Sequence, residues 1–177
     1  ISGNIHVAEG EMIENIFEFN DKEVSEIMTH RTNIVALPLD SDLDACIDLV
    51  TNERYSRFPV YDEDIDDIVG ILNIKDLLSY IADRTDEKFK LSEIIREPYL
   101  VPESKHVDQL LMEMRIERVS VAVAIDEYGG TAGLVSIEDL LEEIVGDIED
   151  EYDEGQIGLT ELSDGTYMVD GLILLED

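Results

Sequence analysis

The chain has 177 residues, of which 44% are hydrophobic, and its 44 Asp and Glu against 12 Lys and Arg give a formal net charge of -32. This length suffices for one domain or two small ones with a sizeable core, and the apolar fraction excludes an intrinsically disordered acidic tail. The large negative charge argues against binding to nucleic acid or to an anionic membrane surface, because electrostatic repulsion would oppose both.

The cysteine content and the two termini bear on where the chain is found. Cys46 is the only cysteine, which excludes an intramolecular disulfide framework and a Cys-based zinc site and fits a reducing compartment. No stretch approaches about 18 consecutive apolar residues, and the first ten residues lack the features of a secretory signal. Because the chain starts at Ile1 without a methionine and ends after an apolar run at 172–175, we expect a soluble piece of a longer protein.

The first predicted element is an acidic amphipathic helix at about 10–19, whose apolar face carries Met12, Ile13, Ile16 and Phe17. The pattern then predicts a strand, a helix, two strands joined by an acidic turn, and a closing helix. Their predicted positions are 34–37, a helix carrying Leu43, Ile47 and Val50, 58–61, 68–72, and a helix from Asn73. This order is a β-α-β-β-α unit.

The same unit occurs a second time. Ser25-Glu26-Ile27-Met28 recurs as Ser92-Glu93-Ile94-Ile95, and Gly70 to Asp76 recurs as Gly133 to Asp139. The second copy has its predicted elements at 99–101, a helix carrying Val107, Leu110, Leu111 and Met114, 121–125, 132–135, and a helix from Ser136. Because each unit alone would be marginally stable, we predict an α/β (α+β) fold in which the two repeats pack as a pseudo-twofold pair.

A different pattern follows the repeats. An acidic run at 147–154 leads into a β-like segment at 157–175, which predicts the start of another β-containing domain. The predicted domain organisation is an N-terminal linker and helix at 1–23, a first repeat at 24–86, a second repeat at 87–150, and an acidic linker with a truncated C-terminal domain at 151–177.

Three long strings carry a resemblance to a known family. They are Tyr55-Ser-Arg-Phe-Pro-Val-Tyr61, Asp126-Glu-Tyr-Gly-Gly-Thr-Ala-Gly-Leu-Val135 and Glu138-Asp-Leu-Leu-Glu-Glu-Ile-Val-Gly-Asp-Ile-Glu-Asp-Glu-Tyr152. Together with the repeat, they resemble the tandem cystathionine-β-synthase (CBS) domain pair, or Bateman module, of the CorC/HlyC (hemolysin C-like) family. That family is related to the cyclin M metal-transport mediators.

The resemblance implies a context for the chain. In that family a membrane domain precedes the CBS pair and a small transporter-associated domain follows it. The resemblance therefore implies a partner in the protein's own N-terminal transmembrane domain, a role in Mg²⁺ or Co²⁺ transport or efflux, and a position at the cytoplasmic face of the cell membrane. It also implies homodimers formed through the CBS pairs, with helix faces such as Leu140, Leu141 and Ile144 supplying the contact.

Ser136-Ile-Glu-Asp139 opens a helix directly after a strand, and two interpretations of it coexist. The first is a capping box, in which the hydroxyl and the carboxylate satisfy backbone amides. The second is a ribose site, because a carboxylate can accept hydrogen bonds from two neighbouring hydroxyls. The resemblance makes Asp139 the ribose-binding acid and implies a nucleotide pocket made of Thr29, Ile34, Tyr55, Ser56, Arg57, Phe58, Pro59, Ser136 and Asp139.

A second nucleotide pocket is expected in the first copy, at Asn73, Asp76, Leu100 and Val101. Asn73 stands where the family pattern has Thr or Ser, which weakens this expectation. The expected ligand is an adenine nucleotide, AMP or ATP. Because the chain is so acidic, we expect ATP to bind together with Mg²⁺, whereas AMP has less charge to neutralise.

The sequence predicts neither a catalytic site nor a resident metal site. Asp62, Asp64 and Asp66 lack the glycine and glutamate of a calcium loop, and the three histidines have no metal-ligand spacing. The acidic run at 147–154 is better explained as a solvated linker. No nucleophile motif or phosphate-binding loop is present, so we predict no enzyme. Two alternatives remain open, a dimerisation scaffold without ligand and a divalent-cation sensor.

Overall fold

Helices and short strands alternate through the first of two units, Ile1–Gly146 and Asp147–Asp177. The computed structural model describes residues 2–83, 89–146, 160–161 and 167–168. The helices of the first unit are α1 (Ser2–Asp21), α2 (Val24–Ile27), α3 (Leu43–Asn52), α4 (Ile74–Ala82), α5 (Val107–Glu117) and α6 (Ile137–Val145). Its strands are β1 (Thr29–His30), β2 (Leu37–Pro38), β3 (Arg57–Tyr61), β4 (Ile68–Asn73), β5 (Leu100–Pro102), β6 (Val121–Ile125) and β7 (Thr131–Ser136). In the second unit, β8 (Thr160–Glu161) pairs antiparallel with β9 (Tyr167–Met168).

Local interactions fix where several helices begin and end. Asp42 Oδ1 accepts a hydrogen bond from the amide of Ala45 at 2.9 Å and so caps the start of α3. Ser136 caps α6 in the same way. At the C-terminal end of α5, Arg118 takes the left-handed conformation with φ 57° and ψ 36°, which ends that helix.

Each repeat contributes one sheet, and the two sheets share a topology. In the first repeat, β2 pairs parallel with β3, and β3 pairs antiparallel with β4. In the second repeat, β5 pairs parallel with β6, and β6 pairs antiparallel with β7. The helices α3 and α5 are the crossovers between the parallel strands, as a parallel pair requires. The predicted β-α-β-β-α order is therefore confirmed in both copies.

The first residues of each repeat cross over and pair with the sheet of the other repeat. β1 pairs antiparallel with β7, so the sheet order is β1-β7-β6-β5. In the reciprocal contact, Arg96 forms a bridge with Ile71 of β4, with N–O distances of 2.8 Å and 3.0 Å. Each sheet is thus completed by residues from the start of the other repeat.

Two glycines allow these crossings to come close. A Cβ atom on Gly133 would lie 2.6 Å from the sulfur of Met28 and 2.6 Å from the carbonyl oxygen of Thr29. A Cβ atom on Gly70 would lie 2.5 Å from Cδ1 of Ile95. All three distances are below van der Waals contact, so only glycine fits at these two positions without a shift of the neighbouring atoms.

The apolar core of each repeat also contains side chains from outside that repeat. The second repeat has a core to which α1 and α2 contribute Phe19 and Val24. The first repeat has a core that includes Leu91, which belongs to the start of the second repeat. A third cluster joins the two repeats, because Ile68 and Ile71 of one sheet pack with Val123 of the other. Burial of these side chains on both sheet faces stabilises the pair as one body.

Cys46 lies in the core of the first repeat with no exposed surface. Burial, together with the nearby Asp42 carboxylate, raises the pKa of its thiol to about 11. The thiol is therefore protonated at neutral pH.

Some elements differ from the sequence-based expectation. α1 begins at Ser2, eight residues before the predicted start at about 10, because the intervening residues contain no proline to stop it. The first predicted strand, 34–37, is reduced to Leu37–Pro38. α2 and β1 were not expected, since elements of four and two residues show no periodicity. Most of the predicted β-like segment at 157–175 lies outside the described residues.

None of the helices in the described ranges is both long and apolar enough to cross a membrane.

We predict that Gly133→Ala destabilises the fold by about 1–3 kcal/mol, because the added methyl group overpacks a site bounded by a backbone carbonyl. Chemical denaturation with urea would measure the loss. Gly10→Ala is the matched control, because nothing lies within 4 Å of its Cβ position and alanine favours helix. If Gly133→Ala were as stable as the wild type, the close approach of Met28 and Thr29 to Gly133 of β7 would be contradicted.

Candidate functional site

A cleft of about 370 Å³ lies where the two repeats meet at the start of α6. Both copies supply its walls. The residues that line it are Thr29, Asn33, Ile34, Val35, Arg54, Tyr55, Ser56, Arg57, Val121, Leu134, Ser136, Glu138 and Asp139. A small organic molecule with polar groups fits a cleft of this size and mixed character. We call it the first cleft.

At one wall of the first cleft, Ser136 and Asp139 form the predicted capping box. The amide of Ser136 donates to Asp139 Oδ2 at 2.8 Å, and the amide of Asp139 donates to Ser136 Oγ at 3.0 Å. The capping role uses one carboxylate oxygen. Among the described residues, Oδ1 of Asp139 has no hydrogen-bond partner, so it remains able to accept from a ligand hydroxyl.

The opposite wall is the segment that leads into β3. Tyr55 is 57% exposed, and its ring stands edge-on to Phe58 with the centroids 6.3 Å apart. Arg57 Nη1 lies 3.5 Å from Glu138 Oε1, which is a weak ion pair across the cleft. An exposed aromatic ring and a loosely held guanidinium can both reorient towards a ligand.

Seven of the nine residues expected in the main pocket line the first cleft, namely Thr29, Ile34, Tyr55, Ser56, Arg57, Ser136 and Asp139. Phe58 is fully buried and Pro59 is buried in the same strand, and neither reaches the cleft surface. The ring of Phe58 contacts that of Tyr55 from the core side.

Sequence reasoning missed six residues that line the first cleft, which are Asn33, Val35, Arg54, Val121, Leu134 and Glu138. Arg54 directly precedes a segment that was singled out, and Glu138 lies between the two capping residues. Extending the first motif by one residue and including every residue of the second would have found both. Val121 and Leu134 carry no local signal, because only the packing of the second sheet brings them to the first.

A smaller cleft of about 240 Å³, also lined by both repeats, occupies the related position at the start of α4. We call it the second cleft. Its lining residues are Arg57, Ile71, Asn73, Lys75, Arg96, Glu97, Tyr99, Arg118, Val119, Ser120 and Val121. Of the residues expected in a second nucleotide pocket, Asn73 lines this cleft. Leu100 is 52% exposed and Val101 is buried in the core of the second repeat, and neither is among its lining residues.

Asp76, the counterpart of Asp139, is held by an arginine. Arg96 Nε donates to Asp76 Oδ2 at 2.7 Å, and Arg96 Nη2 donates to Asp76 Oδ1 at 2.9 Å. Such a bidentate pair engages both carboxylate oxygens. The Arg96 hydrogen bonds hold the pKa of the Asp76 carboxyl below its usual value, and a hydrogen bond from Asn73 acts in the same direction.

Within the described ranges no group of three or more His, Cys, Asp or Glu side chains could hold a metal ion. The acidic run at 147–154 lies outside those ranges. In the turn at 126–130, the Asp126 carboxylate accepts hydrogen bonds from the amides of Tyr128 and Gly130, both at 2.9 Å.

Comparison with protein families and curated relatives agrees with the repeat. The CBS domain profile matches residues 24–83 and 91–146. The chain is 45% identical over 168 residues to the magnesium and cobalt efflux protein CorC of Pasteurella multocida, covering 94% of this chain and 56% of the relative. It is 43% identical over 170 residues to hemolysin C of Brachyspira hyodysenteriae, covering 96% and 62%. The chain thus spans 56% to 62% of these relatives' lengths.

Solved structures show the same likeness. The CBS domain of a bacterial CNNM/CorC family Mg²⁺ transporter in complex with ATP is 44% identical, with a TM-score of 0.74, covering 79% of this chain and 99% of that one. A CBS-domain pair with bound AMP from Klebsiella pneumoniae is 29% identical, with a TM-score of 0.61, covering 70% and 98%.

We predict that Arg96→Gln raises the pKa of the Asp76 carboxyl towards the ordinary aspartate range, because two charge-assisted hydrogen bonds are lost. A carboxyl carbon NMR titration would measure this. A lowered folded-state pKa stabilises the fold above the unfolded pKa, and this contribution is lost as pH falls through the folded pKa. The stability difference between wild type and variant should therefore shrink on acidification.

Lys90→Gln is the control for this titration, since among the described residues Lys90 pairs only with the exposed Glu93, at 3.0 Å. It should leave the pKa of Asp76 unchanged. An Asp76 carboxyl that titrates alike in the wild type and in Arg96→Gln would show that the bidentate pair does not form in solution.

Proposed function

The chain belongs to the CBS domain family, within its CNNM/CorC group, and we propose that it is a non-enzymatic regulatory module that binds an adenine nucleotide in the first cleft. The observation that carries this proposal is Oδ1 of Asp139, which has no hydrogen-bond partner among the described residues and lies in a cleft lined by both repeats and by an exposed tyrosine. Relatives with solved structures hold ATP or AMP, and this supports the same ligand class here.

We propose that each part of the nucleotide meets a different wall. The ribose hydroxyls would donate to Asp139, since a carboxylate oxygen accepts them readily. The purine would pack against Tyr55 and the apolar Ile34, both of which line the cleft. Ser56, Thr29 and Arg57 would supply donors to the phosphates, and Phe58 and Pro59 would hold that segment in place from the core.

The charge of the first cleft bears on the choice of nucleotide. Its lining holds two arginines and two carboxylates, Arg54 and Arg57 against Glu138 and Asp139. The local charge is balanced within a chain whose net charge is -32. We therefore propose that AMP binds unaided and that ATP binds with Mg²⁺, which neutralises its additional phosphates.

Regulation would follow from the shared walls of the cleft. A ligand that touches both repeats stabilises the relative pose in which both can reach it, by as much as its affinities for the two poses differ. We propose that this bias acts on a membrane domain attached before residue 24, in a protein that moves Mg²⁺ or Co²⁺. The module would then lie at the cytoplasmic face of the membrane, with domain limits at 1–23, 24–86, 87–150 and 151–177.

We also propose a homodimer through the helices that close each repeat. Leu78 of α4 is 57% exposed, and Leu141 and Val145 of α6 are 46% and 40% exposed. These apolar side chains would be buried by a second copy. Leu140, which the sequence placed on the same contact face, is fully buried in the core, and Ile144 packs against that core.

We predict that Asp139→Ala weakens AMP binding by about 10- to 100-fold, because a charge-assisted hydrogen bond to the ribose is lost. Isothermal titration calorimetry of the 177-residue chain would measure the affinity. Asp76→Ala is the matched control, since Asp76 occupies the same helix position in the other repeat, and it should leave AMP affinity unchanged.

Because Asp139 also caps α6, the thermal unfolding of Asp139→Ala must be measured alongside, and Asp139→Asn keeps a capping acceptor while removing the charge. Both variants should bind AMP weakly while folded. If wild type binds no adenine nucleotide, the dimerisation scaffold becomes the better account.

We predict that Mg²⁺ strengthens ATP binding and leaves AMP binding unchanged, since only the triphosphate carries charge that the balanced first cleft does not neutralise. Paired titrations with Mg²⁺ and with a chelator would test this. Thermal stabilisation of the fragment by Mg²⁺ alone, without nucleotide, would favour the divalent-cation sensor over this proposal.

A further inference from the structure

The second cleft has an unusual charge for this chain. Four of the chain's 12 Lys and Arg line it, and Glu97 is the one acidic residue among the lining residues. The four cations are Arg57, Lys75, Arg96 and Arg118. The lining thus carries three more positive than negative charges, or one more when Asp76 and Glu138, the partners of Arg96 and Arg57, are counted.

The contrast with the first cleft comes from substitutions at related positions of the repeat. Lys75 in α4 corresponds to Glu138 in α6, so one position reverses its charge between the clefts. Val119 corresponds to Tyr55, so the exposed aromatic ring of the first cleft is replaced by an aliphatic side chain. Arg118 corresponds to Arg54, and this cation is kept.

The second cleft is poorly suited to a nucleoside. Both oxygens of Asp76 accept from Arg96, so the carboxylate that would hold ribose is occupied. The exposed ring of Tyr55 has no counterpart there, because Val119 stands at its position. Tyr99 also lines the second cleft, but it packs against the core of the second repeat and donates its hydroxyl to Glu113. The lining does offer cationic donors and the hydroxyl of Ser120, and these are groups that recognise phosphate oxygens.

Two of the cationic side chains have no acidic partner among the described residues. Lys75 and Arg118 make no ion pair or side-chain hydrogen bond among the described residues, although the chain has 44 carboxylate side chains. Arg118 is also the one non-glycine residue with positive φ in the part of the chain that the structure describes. That conformation ends α5 and places the residue at the cleft.

Arg57 and Val121 line both clefts, so the second cleft adjoins the first. A phosphate group in the second cleft therefore has two sources. It belongs either to a free polyphosphate anion or to the terminal phosphates of a nucleotide whose base lies in the first cleft.

We propose that the second cleft is a phosphate-binding site in which Lys75, Arg118 and Arg57 hold the oxygens of a polyphosphate and no ribose is recognised. The geometry differs from that of the first cleft in its excess of positive charge and in the closed Arg96–Asp76 pair. This inference does not depend on nucleotide binding in the first cleft, because pyrophosphate alone is a sufficient ligand.

The test is calorimetric titration of the whole 177-residue chain with pyrophosphate in buffer free of Mg²⁺. We expect saturable binding that weakens at least about tenfold in Lys75→Gln and in Arg118→Asn, since each removes one charge-assisted contact. Asparagine tolerates the left-handed conformation at position 118, so this variant should keep the end of α5. Arg115→Gln is the matched control, because Arg115 is exposed on the same helix and is not among the lining residues.

Parallel titrations with ATP and AMP distinguish the two sources. If Arg118→Asn weakens ATP but not AMP, the site holds the tail of a nucleotide, and if it weakens pyrophosphate alone, the site holds a free anion. Either result supports the proposal. Absence of pyrophosphate binding together with unchanged ATP affinity in both variants would overturn it, as would an equal loss in Arg115→Gln. AMP binding that still required Asp139 would then leave the proposed function standing.

Discussion

The fold depends on the reciprocal exchange of the segments with which the two repeats begin. Met28 and Thr29 cross onto β7 at Gly133, and Ile95 and Arg96 cross onto β4 around Gly70. Each sheet gains backbone hydrogen bonds, and each core gains apolar side chains, from chain that belongs to the other repeat. Neither repeat completes its core alone, which is the physical reason why two units of this size form one body.

The exchange also builds both clefts. Thr29 reaches the first cleft because β1 is a strand of the second sheet, and Arg96 reaches Asp76 because its backbone is bonded to Ile71. The same backbone plan therefore produces two related cavities. Side chains at matching positions then make them different, with an open carboxylate at Asp139 in one and an arginine-bound carboxylate at Asp76 in the other.

Charge is distributed unevenly over a very acidic molecule. The net charge of -32 repels anions at long range, yet the second cleft gathers four cations and the first is locally balanced. At the short distances of direct contact, local donors outweigh the distant carboxylates, because solvent screens charges separated by more than about 8 Å at physiological salt. Anion recognition is thus compatible with the overall composition.

The sequence by itself determined the repeat, its β-α-β-β-α order and the capping box at Ser136 and Asp139, because periodicity and caps are local properties of the chain. Only the tertiary structure decided that β1 pairs with a strand of the other repeat and that Val121 and Leu134 line the first cleft. It also decided that Arg96 donates hydrogen bonds to the Asp76 carboxylate. These contacts join residues far apart in sequence through two-residue pairings and single side chains. Such short elements show no hydrophobic periodicity in the sequence, and only tertiary packing selects the residues they contact.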